Sequence, residues 1–188
     1  MLTHVIIPAI VLLAAAAAAA YYYARRSPGM QRKVRALEQI AQFTPGTAGF
    51  RRLTPCFRGV LDGLQFSVEL PRTSSASGIG LEISVFTVPL FQLEMHRGID
   101  TTGAEGERGQ MDYDIGDDPY SKAPQYLDDA QRKQYIWNFL STGFTSFCVE
   151  KDRVRILMPN CDLDEDLKPS AVYIQLLALV QLAKSAAH

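Results

Sequence analysis

The sequence predicts an α+β fold: an N-terminal single transmembrane helix, then an antiparallel sheet covered on one face by two helices. Three observations carry that prediction. Residues 5–23 are apolar and uncharged, and Arg25 and Arg26 follow at once. Between Phe57 and Met158, several short stretches alternate apolar with polar residues, the period of half-buried strands. After Asp129, and again from Ala171 to Ala187, apolar residues recur at helical spacing. The implied organisation is a transmembrane anchor over 1–26, a basic juxtamembrane amphipathic segment over 27–46 and a cytoplasmic α+β domain over 47–188.

The anchor comes first. A helix rises about 1.5 Å per residue, so ~20 apolar residues cross a hydrocarbon core of about 30 Å. Val5 to Tyr23 meets that length. Val5, Ile6, Ile7, Ile10, Val11, Leu12 and Leu13 carry the first half, and Ala14 to Ala20 the second. Pro8 falls early, where helix N–H groups lack intrahelical partners anyway. Tyr21, Tyr22 and Tyr23 stand where an aromatic belt meets the headgroups. A cleaved signal peptide is one rival, because the alanines satisfy a small-residue cleavage pattern, but the segment before the run carries no Lys or Arg. A buried helix of a soluble core is the other, opposed by the run's length and the basic cluster behind it.

Charge gives the orientation. Arg25, Arg26, Arg32, Lys33 and Arg35 follow the span, and no acidic residue occurs before Glu38. The positive-inside rule puts the amino terminus outside and the domain in the cytoplasm. The basic cluster is first a topology signal in contact with headgroups; without interleaved aromatics it does not read as a nucleic-acid site. In the alanine run, Ala14, Ala17 and Ala18 offer a smooth surface for larger transmembrane neighbours, since helices in lipid associate through small side chains. The bland account is filler that tolerates lipid.

Beyond the anchor, about 160 residues remain, enough for one domain with a sizeable core. A net charge of −1 implies no bulk electrostatic partner. Cys56, Cys148 and Cys161 are odd in number and lack C-x-x-C spacing, which fits a reducing compartment.

Ser27-Pro28-Gly29 breaks the chain after the anchor. Met30 to Phe43 then reads as an amphipathic helix, with Val34, Leu37, Ile40 and Ala41 on a stripe that lies on the bilayer surface or, the commoner outcome, packs on the domain. Asp62-Gly63 is a hairpin signal between Phe57–Leu61 and Leu64–Leu70. Leu81, Ile83 and Val85 alternate in a third strand and Phe91, Leu93 and Met95 in a fourth, and the four together read as a meander. Gly98 to Pro124 is a long acidic, glycine-rich loop holding a short strand over Met111–Ile115. Asp128 or Asp129 caps a helix running to about Thr142, with Ile136, Phe139 and Leu140 buried and Gly143 as its stop. Ser146–Glu150 and Arg153–Met158 form a hairpin over Lys151-Asp152. The Ala171–Ala187 helix, apolar nearly all round, is expected to lie across the sheet; the alternative of a second membrane span is opposed by Gln175, Gln181 and the short run. The expected total is five to seven strands.

Candidate sites are few. Asp112, Asp114, Asp117 and Asp118 form a D-x-D-x-x-D-D run that partly resembles a calcium loop. The position that should hold a bidentate Glu is Ala123, and Gly116 falls one place early. These carboxylates are better read as a surface facing a basic partner. His96 is a candidate base and Cys148 a candidate nucleophile, but nothing in the spacing brings them together and no carboxylate orients His96. Gly78-Ile79-Gly80 is a turn, since it precedes a strand and not a helix. Trp137 reads as a half-buried aromatic, or as an anchor for a partner. No pattern asks for a cofactor or a metal.

The function expected on these grounds is non-catalytic: a single-pass accessory subunit of a larger integral-membrane complex, such as a photosynthetic or respiratory one. Its partners would be other integral-membrane subunits and the bilayer, with no nucleic acid. The alternatives are a membrane-tethered adaptor recruiting a soluble protein and, third, a membrane-anchored enzyme using His96 or Cys148. The layout of one outside-in anchor and a cytoplasmic β-rich domain resembles the H subunit of photosynthetic reaction centres. The likeness is one of plan, with no motif matched.

Overall fold

The computed structural model describes residues 3–75, 78–97, 111–114 and 122–188. Helix α1 runs over Thr3–Arg26 and α2 over Pro28–Glu38, continued by a 3-10 turn at Gln39–Gln42. Strands β1 (Gly46–Arg51), β2 (Thr54–Leu61), β3 (Leu64–Glu69), β4 (Leu81–Phe86), β5 (Leu93–Arg97) and β6 (Met111–Asp114) follow. Then come α3 (Ala123–Leu127), α4 (Ala130–Ser141), β7 (Ser146–Val149), β8 (Arg153–Met158) and α5 (Pro169–Ala186). All pairings are antiparallel, and the eight strands lie in the order β1-β2-β3-β4-β8-β7-β5-β6.

The α+β class and both sequence-predicted hairpins are present. Asp62 (φ 57°) and Gly63 (φ 84°) both adopt positive φ, the geometry that joins twisted strands through two residues. Leu61 pairs with Leu64 across that turn. Lys151-Asp152 closes the second hairpin, where the Glu150 N–H donates to the Arg153 carbonyl at 2.8 Å.

Strand β1 has no counterpart in the sequence reading. Its residues are mostly small, so no apolar alternation announces it. Small residues are what the position needs. Gly46 stands opposite Gly59, and a Cβ at Gly59 would come within 2.0 Å of the Pro45 carbonyl oxygen.

The expected four-strand meander stops at β4. Pro89 sits in a connection too long for a tight hairpin, and the Leu90 N–H in it donates to the Ala186 carbonyl. The β7–β8 hairpin fills the vacated edge of β4, and β5 pairs with β7 on its far side. β5 also begins at Leu93, later than expected, and α3 replaces part of the expected loop.

One face of the sheet carries the core. Phe57, Val68, Ile83, Ile156, Phe147 and Met95 form a cross-strand row that is almost wholly buried. Fully burying each such side chain contributes about 1.5–3 kcal/mol. Val172, Leu176, Leu179, Val180 and Ala183 of α5 cover that row from above. Ile136, Phe139 and Leu140 of α4 extend the cover. α4 starts as expected: Asp129 is the N-cap and accepts from the Arg132 N–H at 2.8 Å. Gly143, at φ 101°, follows its end. Leu37 and Ile40 bring α2 and the 3-10 turn into the same core, and Ala123, Tyr126 and Leu127 of α3 join it, so the core takes in more helical segments than the expected two. Ala41, expected on that stripe, is exposed because the helix tightens to 3-10 just before it.

Among the described residues no helix is long and apolar enough to cross a membrane. The expected transmembrane anchor is thus a 24-residue helix without being shown as a span. The described side chains from Leu13 to Ala19 are mostly alanine, which adds little affinity for lipid. The strongly apolar Val5, Ile6, Ile7, Val11 and Leu12 lie outside the described side chains.

Candidate functional site

Two polar assemblies stand apart from the core. The first is a collar at the end of α1. Tyr21, Tyr22 and Tyr23 are 40%, 50% and 74% exposed, so their rings face outward and are not part of a core. The Tyr21 hydroxyl donates to the Arg52 carbonyl at 3.0 Å. The Arg25 guanidinium lies 4.4 Å from the centre of the Phe50 ring and 5.4 Å from that of Tyr21. Arg26 lies 4.5 Å from the centre of Tyr22. Exposed cation–π contacts of this kind each contribute about 0.5–1 kcal/mol. Two of these contacts, Tyr21 to Arg52 and Arg25 to Phe50, hold the last turn of α1 against the β1–β2 turn, in which Arg52 takes positive φ (59°) and Leu53 is half-exposed.

Beside the collar lies a groove of about 540 Å³, lined by Ser27, Met30, Lys33, Leu53, Leu70 and Arg72. Burial, then the nearby charge of Arg72, holds the Lys33 ammonium below the ordinary lysine range. Among the described residues neither Lys33 nor Arg72 has a carboxylate partner. The Cys161 thiol near Lys33 is pushed up to about 12 by burial, then by Asp166 and Asp162, so it offers Lys33 no countercharge at neutral pH.

The second assembly lies on the helix-free face of the sheet. Register aligns Arg58, Ser67, Ser84, Arg155, Cys148 and Glu94 in one row across six strands. Ser67 and Ser84, expected to be wet, are buried between the long Arg58 and Arg155 side chains that flank them in that row. Arg153 and Arg155 donate to Glu150 at 2.7 and 2.6 Å, and both lie within 3.6 Å of Glu82. Burial disfavours each charge, but the hydrogen bonds outweigh it. The Glu150 carboxyl is held below its usual range and both guanidiniums above theirs.

His96 and Cys148 belong to this face, and here the sequence expectation is corrected. Glu94 lies between them: His96 Nε2 is 3.1 Å from Glu94 Oε1, and the Cys148 thiol donates to the same oxygen at 3.8 Å. The β5–β7 register does this by placing Glu94 opposite Cys148 and His96 two residues further on. The chemistry is poor for a nucleophile. Burial first, opposed by Arg155 and aided by the Glu94 and Glu150 charges, pushes the Cys148 thiol up to about 11, so it carries little thiolate at neutral pH.

Ala14 and Ala18 are exposed on α1, whereas the Ala17 side chain is outside those described. Asp112 and Asp114 occupy β6, registered opposite His96 and Glu94. Asp117 and Asp118 lie outside the described residues. Among the described residues no cluster of three His, Cys, Asp or Glu side chains could hold a metal ion. Trp137 is 36% exposed on α4, which leaves both of its readings open. Sequence reasoning found the tyrosines and arginines of the collar but missed Phe50, Arg52 and Arg72. The only signal for these was a cluster of arginines, at 51–52 and 72, flanking predicted strands.

No protein-family model, no curated protein and no solved structure matches this chain.

Proposed function

We propose that the chain is a non-catalytic, single-pass accessory subunit of a larger integral-membrane assembly, with its α+β domain held against the cytoplasmic face. The collar is the observation that carries this reading. An aromatic–arginine belt suits the boundary between lipid and water, and this one is also fastened to the domain through Arg52 and Phe50. A flexible tether would leave the domain free to swing; this joint fixes it at one depth.

Further support comes from α1 itself. Its 24 residues extend about 36 Å, and no side chain between Val5 and Tyr23 is charged. Ile10 and Leu13 project from it at 60% and 71% exposure, with nothing in the domain to cover them. The exposed Ala14 and Ala18 suit close packing against neighbouring spans. Val88 and Leu90, exposed on the connection before β5, give the domain an apolar patch for a neighbour.

Extraction tests the proposal in two stages. The chain is expected to stay in the pellet after an alkaline carbonate wash, and then to migrate in mild detergent on a native gel at far above its own mass. Release by carbonate defeats the anchor. Retention followed by migration at monomer mass defeats the subunit and favours the tethered adaptor.

A further inference from the structure

We infer that the groove between α2 and the β1–β2 turn binds the phosphate of an anionic phospholipid headgroup, clamped between Lys33 and Arg72. The inference rests on the anchorage proposed above, which sets this groove at the bilayer surface.

Charge complementarity is the first argument. On the open face of the sheet the chain neutralises its clustered cations internally, as Arg153 and Arg155 do with Glu150 and Glu82. In the groove, Lys33 and Arg72 line the same space, the Arg72 charge acts on Lys33, and neither has a carboxylate partner among the described residues. Two neighbouring unpaired cations repel each other and favour an anion beside them. The depressed basicity of Lys33 agrees with this, since a bound phosphate would reverse it.

The second argument is the mixed lining. Met30, Leu53 and Leu70 give the groove an apolar wall, and Leu53 is 47% exposed at the turn beside Arg52. A free phosphate has no use for such a wall, whereas a glycerophospholipid brings a phosphate and an acyl chain together. The third is position. Ser27 and Met30, which line the groove, follow directly on Arg25 and Arg26 of the collar. The groove therefore opens at the level where α1 would leave the lipid.

The test uses the full chain in nanodiscs of phosphatidylcholine mixed with phosphatidylglycerol, with native mass spectrometry counting the lipids retained. Wild type is expected to retain phosphatidylglycerol selectively. The double variant Lys33→Gln/Arg72→Gln should lose about tenfold in that selectivity. Arg32→Gln/Arg35→Gln removes the same charge from α2 outside the groove and should retain it, as should the charge-preserving Lys33→Arg. Equal losses in both double variants would mean diffuse attraction and overturn the inference. So would displacement of the lipid by millimolar inorganic phosphate, which would make the occupant a soluble anion. A short-chain phosphatidylglycerol in detergent separates this from the anchor. A chain that carbonate releases but that still takes the short-chain lipid through Lys33 and Arg72 keeps the groove and loses the anchor. A chain that inserts without lipid selectivity does the reverse.

Discussion

The two basic clusters of this protein answer the same electrostatic problem in opposite ways. On the open face of the sheet, Arg153 and Arg155 are about three-quarters buried and share Glu150 and Glu82. At the end of α1, Arg25 and Arg26 lie on aromatic rings, and Lys33 and Arg72 face a groove with no carboxylate among the described residues. A closed set of charges serves the fold. An open set is useful only if something outside the domain completes it.

That contrast is broken most sharply at Glu150. Glu150→Ala removes the hydrogen-bonded carboxylate from two mostly buried guanidiniums, leaving them only the longer contacts to Glu82, and is expected to cost about 2 kcal/mol in urea denaturation. Losses below about 0.5 kcal/mol would mean that the network is ornamental. The pH dependence has a definite sign. The Glu150 carboxyl is held below its unfolded value, so its contribution is present above that value and vanishes as pH falls through the folded one.

Cys148 gives a comparable effect, in the opposite direction of pH. Its folded value of about 11 stands above the ordinary thiol value of 9.0, so its stabilisation is complete below the latter. It is lost as pH rises toward 11, by roughly 2–3 kcal/mol. Denaturation midpoints measured at pH 7, 9 and 10.5 should fall in wild type and fall less in Cys148→Ala. Parallel profiles would show that the thiol is not held neutral by burial.

The sequence made one of these regions far more legible than the other. The sheet announced itself through period-two alternation and the Asp62-Gly63 turn, because one buried face forces that pattern wherever large residues supply it. β1 escaped because it holds few large apolar residues to alternate, and Gly46 opposite Gly59 meets the opposite demand, close approach without side chains. The position of β5 escaped because strand order depends on the later β7–β8 hairpin, and no local pattern encodes that. Glu94 was overlooked as the group between His96 and Cys148 since their contact exists only in the β5–β7 register. At the collar, the tyrosines and arginines were visible in composition. Their fastening to Arg52 and Phe50, and the meeting of Lys33 with Arg72, arise only when α2 packs beside β2.

Smaller effects sharpen the open side of the comparison. Phe50→Ala removes the ring under Arg25 and should loosen the joint by about 0.5–1 kcal/mol. The readout is faster trypsin cleavage after Arg25 and Arg26, with the domain's own denaturation midpoint unchanged. An unchanged cleavage rate would mean that the ring does not hold the helix. Smallest of all, Lys33→Gln/Arg72→Gln should leave the stability of the lipid-free protein within about 0.5 kcal/mol of wild type, since it relieves a repulsion and breaks no pair. A loss near that of Glu150→Ala would make the groove a structural element and not a site.

Everything at the open end depends on α1 lying in lipid with the domain on the inner side. Cysteine labelling in intact cells tests this directly, because Cys56, Cys148 and Cys161 are all buried and give little background. An impermeant maleimide should label Thr3→Cys in intact cells and should reach Lys151→Cys only after the membrane is opened. Labelling of both positions from outside, or of neither until the cells are broken, would contradict the account.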